Sequence, residues 1–338
     1  MGPAYRTSVY PGVAASRSRL LLPSTCNLVA KRTAVLWHRK RRRRRSSEDP
    51  ESYRPRPMVL ADADLSDPQT IGALLSQYGI WLDREQSQHL LAERNILDRI
   101  VAAAAVRSTD RVLEIGAGIG TLTRELVARA GEVIAVEIDE RLVEVLAATC
   151  PAANLRVIHQ DILALDIERY FGAQPYRLVA NLPYSVATPA ILRLLQASHP
   201  PQDLLVMVQR EVGERLAARP GNMSLLSVKA QLFADVELVS RVPPQAFFPP
   251  PKVAGAVVHL VPRPTPQVPL LPTEARFWQT VEAGFATRRK QLHNALGSLG
   301  VGTEPIHTAL AAVGIDPSQR AQTLTLADWS RLSAALWA

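Results

Sequence analysis

The chain has 338 residues, 47 % hydrophobic but only 5 % aromatic, which suits one large α/β domain with a smaller companion and an aliphatic core. Two distant cysteines, Cys26 and Cys150, argue against a disulfide framework or a structural zinc site, and no apolar run reaches the roughly eighteen residues of a membrane helix. The net charge of +8 belongs to the first 47 residues, which hold twelve Lys and Arg and no acid; the remainder is net negative, although nine basic residues outnumber five acids from Arg241 onward.

Residues 1–66 lack apolar periodicity and read as a basic, disordered tail, in which His38, Arg39 and Lys40 run into five arginines and then a Ser/Glu/Asp/Pro stretch. Three readings stay open for it: an organellar transit peptide, a nucleic-acid-binding arm, or sequence upstream of the real start. Structure is expected from Asp67. A helix-like pattern then runs from Asp83 through His89, Leu90, Leu91, Ile96, Leu97 and Ile100 to Val106. Strands are predicted at 111–115, 133–137, 155–159, 177–180 and 204–208, with helices at 120–129, 140–149, 166–171 and 188–196. Such alternation of short apolar strands with helices predicts a parallel sheet covered on both faces. A helix at 211–219 precedes strands at 232–239 and 254–261, joined by "VPPQAFFPPPK" as an antiparallel pair at the sheet edge. The proline-studded residues 262–272 read as a linker. Only helices follow, at 274–286, 288–296, 304–313 and 326–337.

The turn "EIGAGIG", with Gly116, Gly118 and Gly120, leaves a strand and opens a helix, where a nucleotide-like ligand meets close backbone approach and helix amides. Its GxGxG spacing is one residue tighter than the dinucleotide fingerprint. Glu137 ends the next strand, where a carboxylate can accept ribose hydroxyls, and Asp161 ends the third, beside the adenine of the same ligand. One acid at a strand end usually caps a loop; three strand ends in series carry more.

The fourth strand ends in "NLPY", Asn181 to Tyr184. An exocyclic aromatic amine is a poor nucleophile because its lone pair is delocalised into the ring, so a site must hold the N–H groups and aim the lone pair at an electrophile. The Asn181 side-chain oxygen and the backbone carbonyl of Leu182 or Pro183 can accept those protons, while Tyr184 stacks on the base. The plainer alternative is a proline break, an asparagine cap and a core tyrosine.

From about Gly79 to Trp337 the chain resembles the ribosomal RNA adenine dimethyltransferase family, through "EIGAGIGTLT", "VIAVEID", "NLPYSVATP", "VMVQREVGERL", "AFFPPPKV", "RRKQL" and "GIDPSQRAQTL" in that order. The resemblance implies an α/β fold with a Rossmann-like class I methyltransferase sheet at 67–262 and a small all-α, RNA-binding C-terminal domain at 263–338. It implies methyl transfer from S-adenosylmethionine to N6 of two neighbouring adenines near the 3′ end of small-subunit rRNA in a pre-ribosomal particle, without a metal. It also implies that His89 and Leu91 of "QHLL" fold over the donor, that Gly116, Gly118 and Glu137 meet its methionine and ribose, that Asp161 meets its adenine, and that Asn181 completes both sites. Phe247 would help Tyr184 clamp the flipped base, with Phe248 able to exchange roles with it. Arg288, Arg289 and Lys290 form a basic cluster for RNA. The chain departs from the family pattern at Ser87, where glycine is usual, at Leu90 in place of phenylalanine, and at Ala117 in place of proline. A monomer in the cytoplasm, or in a chloroplast or mitochondrion if residues 1–60 are a transit peptide, is the expected setting, with no membrane association. Competing readings are a large-subunit adenine methyltransferase, a catalytically silent ribosome-assembly or mitochondrial transcription factor, and a nicotinamide dehydrogenase.

Overall fold

Five short strands with apolar side chains on both faces lie side by side in a seven-stranded sheet. The structure, a computed structural model, describes residues 60, 63–82 and 88–338. The tail reading and the predicted helix start at Asp83 therefore lie largely outside the described residues. In chain order the elements leading to the sheet are α1 (Pro68–Gln77), β1 (Leu90–Leu91), α2 (Arg94–Ala104), β2 (Arg111–Ile115), α3 (Thr121–Val127), β3 (Glu132–Glu137), α4 (Glu140–Thr149) and β4 (Leu155–His159). They continue with α5 (Glu168–Phe171), β5 (Arg177–Asn181), α6 (Ala187–Leu195), β6 (Leu204–Gln209), α7 (Arg210–Leu216), α8 (Leu225–Gln231), β7 (Ala234–Val242), β8 (Phe247–Phe248) and β9 (Gly255–Pro262).

The sheet order is β4-β3-β2-β5-β6-β9-β7, parallel from β4 to β6, with β9 antiparallel to β6 and β7 antiparallel to β9 at the edge. Alternate residues feed two cores. Leu113, Ile115, Leu178, Ala180, Val206 and Val208 pack under α6 and α8, and Val112, Val133, Val179, Leu205 and Met207 pack under α2 and α3. That is the both-faces burial the sequence implied. At the strands' N-terminal ends Arg177 bridges Asp110 at 3.1 Å and Asp203 at 2.6 Å, pinning β5 from both sides.

Because β2 leads outward to β3 and β4 while β5 lies on its other side, the chain reverses its winding between β2 and β5. The C-terminal ends of those two strands form the crevice in which open α/β sheets bind ligands. The predicted helix from Asp83 to Val106 is corrected: within the described residues, Leu90 and Leu91 form β1, paired antiparallel with Phe248 and Phe247 of β8, and the helix starts only at Arg94. The predicted strand at 232–239 also starts late, because α8, capped by Ser224, occupies the residues before Leu232.

Four helices follow residue 262: α9 (Glu274–Phe285), α10 (Leu292–Leu296), α11 (Thr303–Ala312) and α12 (Leu326–Leu336). They bury Phe277, Val281, Leu310 and Trp329 in one core that also takes Met223, Val228 and Leu232 from the preceding region. None of the described helices is long and apolar enough to cross a membrane.

Candidate active site

At the crevice lies a cavity of about 410 Å³, within the range of about 300–1,000 Å³ common for small-molecule sites. Its floor is the glycine turn. Gly116 and Gly118 have φ of +74° and +59°, conformations that side chains other than glycine rarely adopt. A Cβ on Gly116 would stand 2.7 Å from Pro183 Cδ, and one on Gly118 would stand 2.8 Å from Leu90 Cδ2. The turn is therefore clasped between "NLPY" and the strap formed by residues 88–91.

Glu137, buried at the end of β3, lines the cavity. One carboxylate oxygen accepts the Gly118 N–H at 2.9 Å, and the other accepts the N–H groups of Ile138 at 2.9 Å and Asp139 at 3.1 Å. Burial nevertheless holds its pKa above the ordinary carboxylate value. Three of roughly four acceptor positions are thus taken, which leaves room for one ribose hydroxyl rather than the pair expected. Asp161, after the neighbouring strand β4, also lines the cavity, its Oδ1 accepting the Leu163 N–H at 2.9 Å. Ile138, 61 % exposed, lines the same cavity and offers an apolar wall for a flat heterocycle. Sequence reasoning missed it, although an apolar residue placed in a loop directly after Glu137 was the available signal.

Asn181 closes β5 beside the glycine turn. Its Nδ2 donates to the His89 carbonyl at 3.3 Å. Leu182 is anchored through its N–H to the Met207 carbonyl, while the Pro183 carbonyl accepts the N–H groups of Val186 and Ala187 where α6 begins. Of the two carbonyls left open by the sequence, Pro183 is committed to the helix, and Leu182 is the better placed to receive an amine. The Tyr184 ring lies 5.6 Å from the His89 ring at 40°. Its buried hydroxyl has no hydrogen-bond partner among the described residues, and burial pushes its pKa up to about 12.

The structure brings His89, Gly116, Gly118, Glu137, Asp161, Asn181, Leu182, Pro183 and Tyr184 around one cavity. Three expected groups are placed differently. The Leu91 side chain lies in the core and alternation along β1 sends the Leu90 side chain to the cavity, while Leu91 lines a smaller cavity with Gly116 and Asn181. Phe247, 2 % exposed, sits in the same core against Gly255, and Phe248 packs toward α1, so His89 is the ring facing Tyr184. Arg288, Arg289 and Lys290 are exposed but lie in the turn between α9 and α10 instead of on a helix. The N–H groups of Leu292 and His293 there bond the carbonyls of Gln319 and Pro317, which delays the helix.

Behind the glycine turn lies Glu114, 2 % exposed, with Oε2 lacking any hydrogen-bond partner among the described residues. Burial pushes its carboxyl up to about 8; the Thr123 hydroxyl offsets part of this and the Glu137 carboxylate adds to it. In the unfolded chain the same group titrates near 4.5. Between these values the native state holds a proton that the unfolded state has lost, so the stability associated with Glu114 is complete below about 4.5 and falls away as the pH rises to 8. Glu114→Gln, neutral throughout, is expected to flatten that slope and to be more stable than the parent at pH 8 by on the order of a few kcal/mol. Urea midpoints of both proteins at pH 5.5 and 8.0 measure it, and parallel slopes would refute the assignment.

The model of the family described as "Ribosomal RNA adenine dimethylase" matches residues 82–337. The chain is 40 % identical over 264 residues to "Ribosomal RNA small subunit methyltransferase A" of Dehalococcoides mccartyi, an alignment covering 77 % of this chain and 90 % of that one. It is 41 % identical over 285 residues to the protein of the same name from Geobacillus thermodenitrificans, covering 81 % and 97 %. Among solved structures, a dimethyladenosine transferase from Plasmodium falciparum superposes with a TM-score of 0.58 at 27 % identity, covering 72 % of this chain and 95 % of that one. The 23S rRNA methyltransferase ErmE superposes with a TM-score of 0.59 at 27 % identity, covering 74 % and 100 %.

Proposed function

The chain belongs to the ribosomal RNA adenine dimethylase family, and from that premise we propose that its crevice transfers two methyl groups to N6 of each of two adjacent adenines near the 3′ end of small-subunit rRNA. The observation that carries this reading is the junction of the glycine turn with "NLPY": a cradle in which a Cβ on Gly116 or Gly118 would collide with Pro183 or Leu90, set against an amide that can hold an amine. The cradle fits S-adenosylmethionine, with Gly116 and Gly118 giving close backbone approach, Glu137 meeting the ribose, and Asp161 and Ile138 meeting the adenine. The donor supplies an electrophilic methyl group on sulfur. Everything else is positioning.

Asn181 Oδ1 and the Leu182 carbonyl hold the two N–H groups of the target amine, which turns its lone pair toward the donor. Tyr184 stacks on the extruded base, and its phenol stays protonated at neutral pH. The new C–N bond forms as the C–S bond breaks with its electron pair left on sulfur, and the surplus proton leaves from the alkylated nitrogen to water. No strong base is needed, because alkylation makes that nitrogen more acidic. A second transfer follows on the monomethylated base, whose one remaining N–H is held by one of these acceptors and is the proton lost after the new C–N bond forms.

Small-subunit RNA is favoured over the large subunit by the 40 % identity to small-subunit enzymes, against 27 % to the 23S enzyme. We take the substrate to be RNA within a pre-ribosomal particle and the enzyme to act as a monomer in the cytoplasm; mapping the mature N-terminus separates this from a chloroplast or mitochondrial setting. The decisive experiment incubates radiolabelled S-adenosylmethionine with unmodified small subunits. Label in adjacent dimethyladenines is expected, and label in large-subunit RNA alone, or none, overturns the reading.

The exposed turn at Arg288, Arg289 and Lys290 is the place we assign to phosphate contact. Replacing all three by Ala is expected to weaken binding to unmodified subunits and to lower the salt slope by about 2–3, with donor affinity unchanged. Filter binding across a salt series tests this, and an equal loss of donor affinity would make the cluster structural.

A further inference from the structure

Resting on the reading of the crevice as an rRNA methylation site, we infer that Arg210, Arg241 and Lys252 form a phosphate-binding rim that grips the RNA strand flanking the extruded adenine. Methyl transfer asks more of the protein than a pocket. A base taken out of its stack loses that stacking, so the strand beside it must be held for the base to stay out. Cations next to "NLPY" can do this, a task separate from docking the ribosomal particle.

The sheet register places three cations there. Asn181 pairs with Met207 and β6 runs on to Gln209, so Arg210 emerges past the crevice end of β5 as α7 begins. The Arg210 N–H bonds the Ala254 carbonyl at 2.8 Å, which sets the loop carrying exposed Lys252 alongside. Arg241 of β7 pairs with Ala256 of β9, at the same end of the sheet. From β5 to β7 is three strand spacings, so the rim extends roughly 15 Å from Asn181, the reach of a few nucleotides. Glu214 Oε1 lies 3.2 Å from Arg241 Nη2 and 3.9 Å from Arg210 Nε, so one carboxylate serves two guanidinium groups whose side chains stay 68 % and 57 % exposed. Lys252 has no ion-pair partner among the described residues. Glu211 is turned about 100° round α7 from Arg210, so the rim keeps an excess of positive charge. Across the crevice the ends of β3 and β4 carry Glu137, Asp139 and Asp161, with Glu140 and Glu144 exposed on α4; of these, Asp139 is paired with Arg141. A polyanion is thus drawn over the β6, β9 and β7 side, beside Asn181 and Tyr184, and held off the donor side.

Single-turnover transfer on unmodified small subunits at saturating enzyme, calorimetry with S-adenosylmethionine and filter binding across a salt series test this. Replacing Arg210, Arg241 and Lys252 together by Ala is expected to lower the saturating rate about 10–50-fold and the salt slope by about 2–3, with donor Kd within about threefold. Arg210→Lys with Arg241→Lys keeps all three charges and is expected to hold the parent's slope and to restore the rate to within about threefold. Should the triple variant melt below the parent, Lys252→Ala alone, with no ion pair to lose, is expected to lower the slope by about 1. A parent-like slope in these Ala variants overturns the inference, because the strand then passes elsewhere. A lowered slope with a parent-like saturating rate also overturns it, since the rim would then only dock the particle. So does a donor Kd that rises in step with the lost rate, or a Lys variant as slow as the Ala variant, which would make the Glu214 ion pairs a structural element. If the parent protein neither binds donor nor labels small-subunit RNA, the site reading itself fails and the inference falls with it.

Discussion

Gly116→Ala is expected to abolish donor binding and methyl transfer together, by more than about 100-fold each, in a protein that remains folded. Two costs add. The φ of +74° is the left-handed region, in which a residue with a Cβ loses roughly 1–2 kcal/mol. The new methyl would also stand 2.7 and 2.9 Å from Pro183 Cδ and Cγ and 3.4 Å from the Asn181 carbonyl oxygen. Pro183 cannot yield by a rotamer change, since its ring is closed and its carbonyl starts α6. Either the turn withdraws, which opens the donor cradle, or "NLPY" shifts and the amine acceptors lose register. Gly79→Ala separates strain from collision: φ there is +63°, with nothing within 4 Å of an added Cβ, away from the cavity lining. It is expected to cost about 1 kcal/mol of stability and no activity. Calorimetric donor affinity, label incorporation and melting of both variants decide the matter. A Gly116→Ala enzyme within threefold of the parent would show that the turn does not touch the donor.

The same junction explains how much of the molecule could be read beforehand. Strands β2 to β6 were legible to within a residue or two because each is a short run rich in apolar residues; β2, β3, β5 and β6 are buried on both faces, and β2, β3 and β4 end beside a glycine or an acid. The cavity residues on those strand ends came with them. What was not legible is what depends on pairing across long stretches of chain. Leu90 and Leu91 have nothing locally that makes them a strand; Phe247 and Phe248, more than 150 residues later, supply it, and the period of two then turns the Leu90 side chain to the cavity and that of Leu91 to the core. Phe247 was misplaced for the same reason, since pairing with Leu91 turns it into the core. The helix α8 was hidden because its capping box uses Ser227 where glutamate or glutamine is the recognisable signal. The basic turn at 288–290 contains no glycine or proline; it is the carbonyls of Pro317 and Gln319 that hold α10 back to Leu292.

The largest loss confined to chemistry is expected at Asn181. Removing its side chain in Asn181→Ala deletes one of two acceptors for the amine and the contact to the His89 carbonyl, and transfer is expected to fall about 100–1,000-fold. Donor affinity should fall far less, because Gly116, Gly118, Glu137 and Asp161 stay in place and Asn181 forms only part of the cavity wall. Asn181→Asp is the more telling variant. A carboxylate keeps an acceptor toward the amine and matches the shape of the amide, so if acceptance were all that mattered it would be a mild change. It also sets an anionic oxygen where Nδ2 stood, 3.3 Å from the His89 carbonyl, an acceptor against an acceptor. The strap then either moves away or forces the carboxyl to take a proton. Asn181→Asp is therefore expected to be nearly as slow as Asn181→Ala at pH 8 and to recover partly as the pH falls and the carboxyl can donate to His89. Single-turnover rates of both variants from pH 6 to 9 measure it; a fast Asn181→Asp enzyme with no dependence on pH would mean that the amide nitrogen has no part in holding the site.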